Sequence, residues 1–131
     1  MTLNPIHRRL SPGGSSGGEG ASLGFGCAVL GVGTDIGGSV RVPASFCNVY
    51  GFKPTALRNP ALGLVGVIGG QESIHGCVGP LGQRIDGLIQ FQKAIWNQEP
   101  WDAETSLVPL PWRETNLSPD SMTIGVMLED G

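Results

Sequence analysis

A chain of 131 residues is the size of one domain with a single core. Its net charge of −3, with only 15% charged residues and no long charge run, excludes a polybasic nucleic-acid binder or a protein drawn to an anionic membrane surface. Three cysteines without CxxC spacing exclude a disulfide frame and a zinc site.

Residues 1–14 read as irregular, because Pro5, Pro12 and the Gly13-Gly14 pair interrupt any periodic pattern. His7, Arg8 and Arg9 have no apolar run after them, so this stretch does not read as a signal peptide. Residues 17–25 suit a helix capped by Ser15 or Ser16, with Glu19 in its first turn near a favourable dipole. Residues 27–32 (CAVLGV) predict a strand buried on both faces. Residues 40–50 predict a short helix or turn with Pro43 near its start and Gly51 beyond its end. Residues 53–80 read as loop-rich, with a weak alternating segment at 64–68. Apolar residues at 88, 89, 91, 95 and 96 predict a helix over about 86–97, with Asp86 as N-cap. Residues 97–121 carry prolines and tryptophans and are expected to wrap a surface; Trp96, Trp101 and Trp112 are read as surface packing, with a ligand wall as the other reading. Residues 122–128 (MTIGVML) predict a strand close to the last residue of the chain. No apolar run approaches the roughly 18 residues of a membrane span. The cysteines Cys27, Cys47 and Cys77 are expected to be reduced, which fits a soluble protein of the cytoplasm.

Glycine is the outlier: there are 22, more than twice the usual share of about 7%. Two small-residue stretches concentrate them, SPGGSSGGEGA at residues 11–21 and VGTDIGGSVR at residues 32–41. No glycine is followed by lysine, so neither stretch is a Walker loop, and the third glycine of a dinucleotide loop is missing. Gly14-Ser15-Ser16-Gly17-Gly18 satisfies a GxSxG nucleophile elbow literally, with Asp35 and His75 following in order. That elbow needs a buried strand before it, and the preceding residues are polar and proline-broken.

Taken together, residues 11–21 and the longer run GVGTDIGGSVRVPASFCNVYGFKPT at residues 31–55 resemble the amidase signature family, serine hydrolases of amides that include fatty acid amide hydrolases and acetamidase-type enzymes. The resemblance is dense over residues 4–55 and continues through GPLGQRIDGL and VPLPWRE. It implies an α/β fold with a mixed sheet core flanked by helices, of which residues 1–131 are expected to be a partial domain truncated at both ends. It implies that Ser39 is the nucleophile and that Ser15, held by a cis peptide bond and neighboured by Ser16, relays the proton. The N–H groups of Ile36, Gly37, Gly38 and Ser39 would form the oxyanion hole. The physical requirements agree, because a serine hydroxyl attacks only once a base takes its proton, and glycines let successive amides turn toward one point. Asp35 and Arg41 flank the nucleophile and are read chiefly as a lock on the turn, with tuning of the site as the other reading.

The family's ultimate base is a lysine upstream of the first serine stretch. Lys53 and Lys93 are the only lysines here and neither matches by position. The expectation is therefore an amide hydrolase of a small-molecule amide, without metal or organic cofactor, whose lysine is missing from these residues. Little amide hydrolysis is expected of the 131 residues alone, together with poor solubility. The alternative is a catalytically inactive fragment or a non-enzymatic remnant that binds a ligand or partner. The sequence is silent on oligomeric state.

Overall fold

The computed structural model describes residues 1–66 and 70–129. Helix α1 (Gly17–Gly24) is followed by strand β1 (Leu30–Asp35), helix α2 (Arg41–Phe46), strand β2 (Tyr50–Gly51), strand β3 (Cys77–Gly82) and helix α3 (Ile85–Trp96). Two single 3-10 turns follow, at Pro100–Asp102 and Pro119–Ser121. The strands form one antiparallel sheet in the order β1-β3-β2, with Val32 opposite Pro80 and Asp35 opposite Cys77. Helices and sheet together make a small α/β unit.

Helix α1 holds glycine at four of its eight positions, a composition that disfavours an isolated helix. Close packing explains it. A Cβ at Gly20 would lie 2.9 Å from Pro43 Cβ and 3.1 Å from Pro43 O, so α1 and α2 meet at backbone distance. The same proximity brings Leu23 of α1, Val40, Ala44 of α2 and Leu81 of β3 into one buried cluster, with Ala28 and Val49 packed against it. Ser16 occupies the N-cap position of α1 but its side chain makes no capping bond.

Three expectations are corrected. The first strand runs from Leu30, not Cys27, and only one of its faces is buried: Leu30 and Val32 are 37% and 49% exposed. It lies at the sheet edge, where α1 covers the glycine face alone. Residues 122–128 are not a strand; they pair with no described strand, and Ile124, Val126 and Met127 stay exposed. An extended apolar run without a ladder partner cannot satisfy its backbone groups as a sheet does. Asp86 does not cap α3. The helix begins one residue earlier, after Arg84, and Asp86 pairs with the Arg84 guanidinium at 3.0 Å on the surface.

The central strand β3 begins within the stretch expected to be loop-rich and runs two residues beyond it. Part of the alternating segment at 64–68 lies outside the described residues. Among the described residues no helix is long and apolar enough to cross a membrane. Trp96 and Trp112 pack ring on ring with centroids 5.7 Å apart, and the Arg58 guanidinium lies 4.2 Å from the Trp96 centroid.

Gly79 in β3 tests the close packing. The Phe52 carbonyl presses against the place a Cβ would take, and that oxygen belongs to backbone that cannot swing aside. Gly79→Ala is expected to lower unfolding free energy by roughly 1–3 kcal/mol in a denaturant titration, as overpacking does elsewhere.

Candidate active site

The site is built on the turn that leaves β1. Asp35, the last residue of β1, is fully shielded from solvent. Its Oδ1 accepts from the Gly38 N–H at 2.6 Å, and its Oδ2 from the Val40 and Arg41 N–H groups at 3.2 and 3.3 Å. Arg41 completes the shell as a bidentate partner, Nε to Oδ2 at 2.9 Å and Nη2 to Oδ1 at 3.0 Å. The Arg41 guanidinium, helped by the three backbone donors and opposed by burial, holds the Asp35 carboxyl well below the usual carboxylate range. The peptide chain is thus wrapped around one carboxylate from residue 35 to residue 41. Gly38 sits at φ +125°, a backbone conformation that a side chain would strain.

This wrapping leaves Ser39 lining a cleft of about 340 Å³. Ser15, Thr34, Ile36, Ala61 and Leu64 line the same cleft. The two small-residue stretches therefore converge. They are tied directly, because the Ser16 N–H donates to the Ser39 carbonyl at 3.1 Å. The neighbouring serines 15 and 16 differ in what they face. Ser15 lines the cleft, whereas the Ser16 side chain lies against Gly33 of β1, where a Cβ would come within 2.5 Å of its Oγ. The Gly14–Ser15 peptide bond is cis.

The four amides expected to form an oxyanion hole differ in their partners. The Gly38 N–H is already committed to Asp35, because the carboxylate that shapes the turn takes it at 2.6 Å. Among the described residues the N–H groups of Ile36, Gly37 and Ser39 have no acceptor.

Other titratable residues lie apart or play structural parts. His75 is exposed and does not line the cleft. Lys53 Nζ donates to the Pro54 carbonyl at 3.2 Å, and Lys93 is ion-paired with Glu114. Glu19 lays its carboxylate over Gly31 of β1. Cys77, a cleft-lining residue that sequence reasoning did not single out, is buried, with its Sγ 3.4 Å from the Asp35 carbonyl. Burial pushes its thiol pKa up, with Lys53 nearby pulling the other way. Ala61, Leu64 and Val78 were also unforeseen as lining residues; no polar or glycine signal marks them. Among the described residues no three His, Cys, Asp or Glu side chains gather closely enough to hold a metal ion.

The amidase family profile matches residues 1–131. The chain belongs to the amidase signature family. It is 46% identical over 114 residues to the acetamidase of Emericella nidulans, covering 87% of this chain and 21% of that protein. It is 42% identical over 114 residues to fatty-acid amide hydrolase 1 of Sus scrofa, covering 87% of this chain and 20% of that protein. Among solved structures, a fatty acid amide hydrolase superimposes with a TM-score of 0.85 at 43% identity, over 88% of this chain and 20% of its own. A bacterial aryl acylamidase superimposes with a TM-score of 0.60 at 31% identity, over 72% of this chain and 19% of its own. The chain spans between 20% and 28% of the length of eight curated relatives it matches.

The Asp35 shell carries a stability prediction. Asp35→Ala leaves the buried donors of Gly38 and Val40 without an acceptor and is expected to lower unfolding free energy by about 3 kcal/mol or more. The pH dependence follows from the direction of the shift. The folded carboxyl ionises far below the unfolded value of about 3.9, so at acid pH the unfolded chain binds the extra proton. The contribution of Asp35 is complete above that value and is lost as pH falls below about 4 toward the folded pKa. Thermal melts from pH 6 downward are expected to show a steeper loss for the native chain than for Asp35→Asn.

Proposed function

We propose that this amidase-family chain carries the nucleophile of a serine amidase, and that Ser39 attacks the carbonyl of a small-molecule amide. The observation that carries the reading is the convergence of Ser39 and Ser15 on one cleft, with the Ser16 side chain turned to β1 instead. In the proposed reaction Ser39 Oγ bonds to the carbonyl carbon while its proton passes to Ser15. The tetrahedral oxyanion is met by the free amides of Ile36, Gly37 and Ser39. Preorganised donors of this kind typically contribute about 3 kcal/mol each to the transition state. Collapse breaks the C–N bond, the amine or ammonia leaves with the relayed proton, and water then hydrolyses the acyl-Ser39 ester.

Serine needs a partner base for this chemistry, and Ser15 only passes the proton on. Neither Lys53 nor Lys93 is given that part, since the first is bound to Pro54 and the second to Glu114. The reading assigns it to the lysine that the family resemblance implies. Asp35 and Arg41 act as positioning residues: their pairing fixes the turn on which Ser39 stands. The three free cysteines, two of them buried, fit a reducing compartment such as the cytoplasm.

The test is covalent labelling of the full-length protein by an alkyl fluorophosphonate, with the modified residue located by mass spectrometry. Label is expected on Ser39. Ser39→Ala is expected to abolish labelling and to lower amide hydrolysis by about 1,000-fold or more, as loss of a serine nucleophile does elsewhere. Ser15→Ala is expected to slow both by about 100-fold, the usual scale of a lost proton-transfer group. Ser16→Ala is expected to leave both close to native. A folded protein that takes no label would instead favour a non-catalytic amidase-like domain, and equal effects of the Ser15 and Ser16 variants would remove the relay assignment.

A further inference from the structure

The loop that lines the cleft alongside Ser39 is held from behind by a residue far along the chain. Glu104 Oε2 accepts two consecutive backbone N–H groups, those of Ala61 at 2.8 Å and Leu62 at 2.9 Å. Its other oxygen accepts from Ser106 Oγ at 3.3 Å. The carboxylate is itself fixed. The Glu104 N–H donates to the Pro100 carbonyl and the Leu107 N–H to the Glu104 carbonyl, both at 3.0 Å, so the residue sits inside a compact turn. Leu107 is buried and the Val108 N–H reaches the Leu57 carbonyl at 2.9 Å, which fastens this turn to the loop it clamps.

The other end of the same loop is pinned by Asn59, which is 4% exposed. Its Nδ2 donates to the Val78 carbonyl at 2.9 Å and to Gln92 Oε1 at 2.8 Å, and its Oδ1 accepts from Trp96 Nε1 at 2.8 Å. Residues 60–62 are therefore held between a buried amide network on one side and a carboxylate on the other. What this short span presents to the cleft is apolar: Ala61, with Leu64 following it and Val78 of β3 beside it. A charge-assisted clamp on two adjacent amides is stronger than an ordinary loop contact. Nothing in the chemistry of Ser39 calls for it.

We infer that Glu104 is a positioning residue for substrate selection: it fixes the Ala61–Leu64 wall against which the acyl chain of the amide rests. The inference depends on the serine-amidase reading of the cleft. A long acyl chain gains by lying on that wall, whereas a short one reaches the oxyanion site without it. Releasing the wall therefore weakens reaction with long chains and spares short ones.

The experiment compares decyl and ethyl fluorophosphonates on the full-length protein, together with hydrogen exchange of the Ala61 and Leu62 amides. Glu104→Ala is expected to speed exchange at those two amides by at least about tenfold. It is expected to slow decyl labelling of Ser39 by about tenfold, the equivalent of fewer than two buried methylenes, and to leave ethyl labelling within about twofold. Glu104→Gln keeps a carbonyl acceptor and is expected to restore most of the decyl rate. Glu104→Asp, one methylene short, is expected to fall between and keeps the test alive if the alanine variant does not fold. Unchanged exchange at both amides, or faster exchange with an unchanged decyl-to-ethyl ratio, overturns the inference while ethyl labelling of Ser39 keeps the amidase reading intact. Native protein that takes neither probe overturns both.

Discussion

A carboxylate sealed from water is untenable unless donors surround it. Asp35 meets that demand with five hydrogen bonds, three from the backbone of the turn that follows it and two from Arg41. The rest of the site depends on this arrangement. Satisfying the carboxylate leaves the chain from residue 36 to residue 41 essentially one path, and Ser39 is carried on that path. Arg41 is about half exposed, so the pairing is not a charge pair lost in the core; one partner is desolvated and the other brings water-facing charge to it. The same demand accounts for the engaged Gly38 amide. A turn cannot give one N–H both to the carboxylate that shapes it and, at full strength, to a developing oxyanion.

The second constraint is closeness of backbone. Gly20 against Pro43, and Gly31 and Gly33 against Glu19 and Ser16, let α1 and the loop before it settle directly on α2 and β1. Only at that range can the Ser16 N–H reach the Ser39 carbonyl and bring Ser15 to the cleft that Ser39 lines. Glycine here does not supply looseness. It removes side chains where two pieces of chain must touch, and the surrounding contacts take up the order that the helix propensity of GGEGASLG lacks.

How much of this was legible in the sequence follows from the same two constraints. The small-residue stretches announced tight backbone geometry, and the resemblance they carry led to the family. Helix α3 was legible because its apolar residues recur at helical spacing, which outweighs the one glycine, Gly87, within it. The central strand was not, since CVGPLG holds two glycines and a proline, residues that argue against a middle strand. Its place is set by partners on both sides, with Phe52 pressed on Gly79, and such non-local contacts leave no local pattern. The reverse error has the same root: MTIGVML has strand composition, but composition provides no partner. The resemblance pointed to Ser15 rather than its neighbour Ser16, and in the structure Ser15 lines the cleft while the Ser16 side chain packs on Gly33. The cleft walls were invisible because Ala61, Leu64 and Val78 differ in no way from ordinary apolar residues.

Two kinds of control over the cleft then occupy different parts of the chain. The turn with Ser39 is shaped locally, within seven residues, by one buried carboxylate. The wall beside it is shaped at long range, by Glu104 more than forty residues away and by Asn59 through α3. On the proposed reading, a change in Asp35 moves the turn that holds Ser39, whereas a change in Glu104 moves only the wall beside it. On the proposed reading, that separation lets the wall change while the turn stays the same. The turn that carries Ser39 is bound to the shape of the fold itself, because it is wrapped around the buried Asp35 at the end of β1, whereas the wall hangs from the Glu104 and Asn59 side chains.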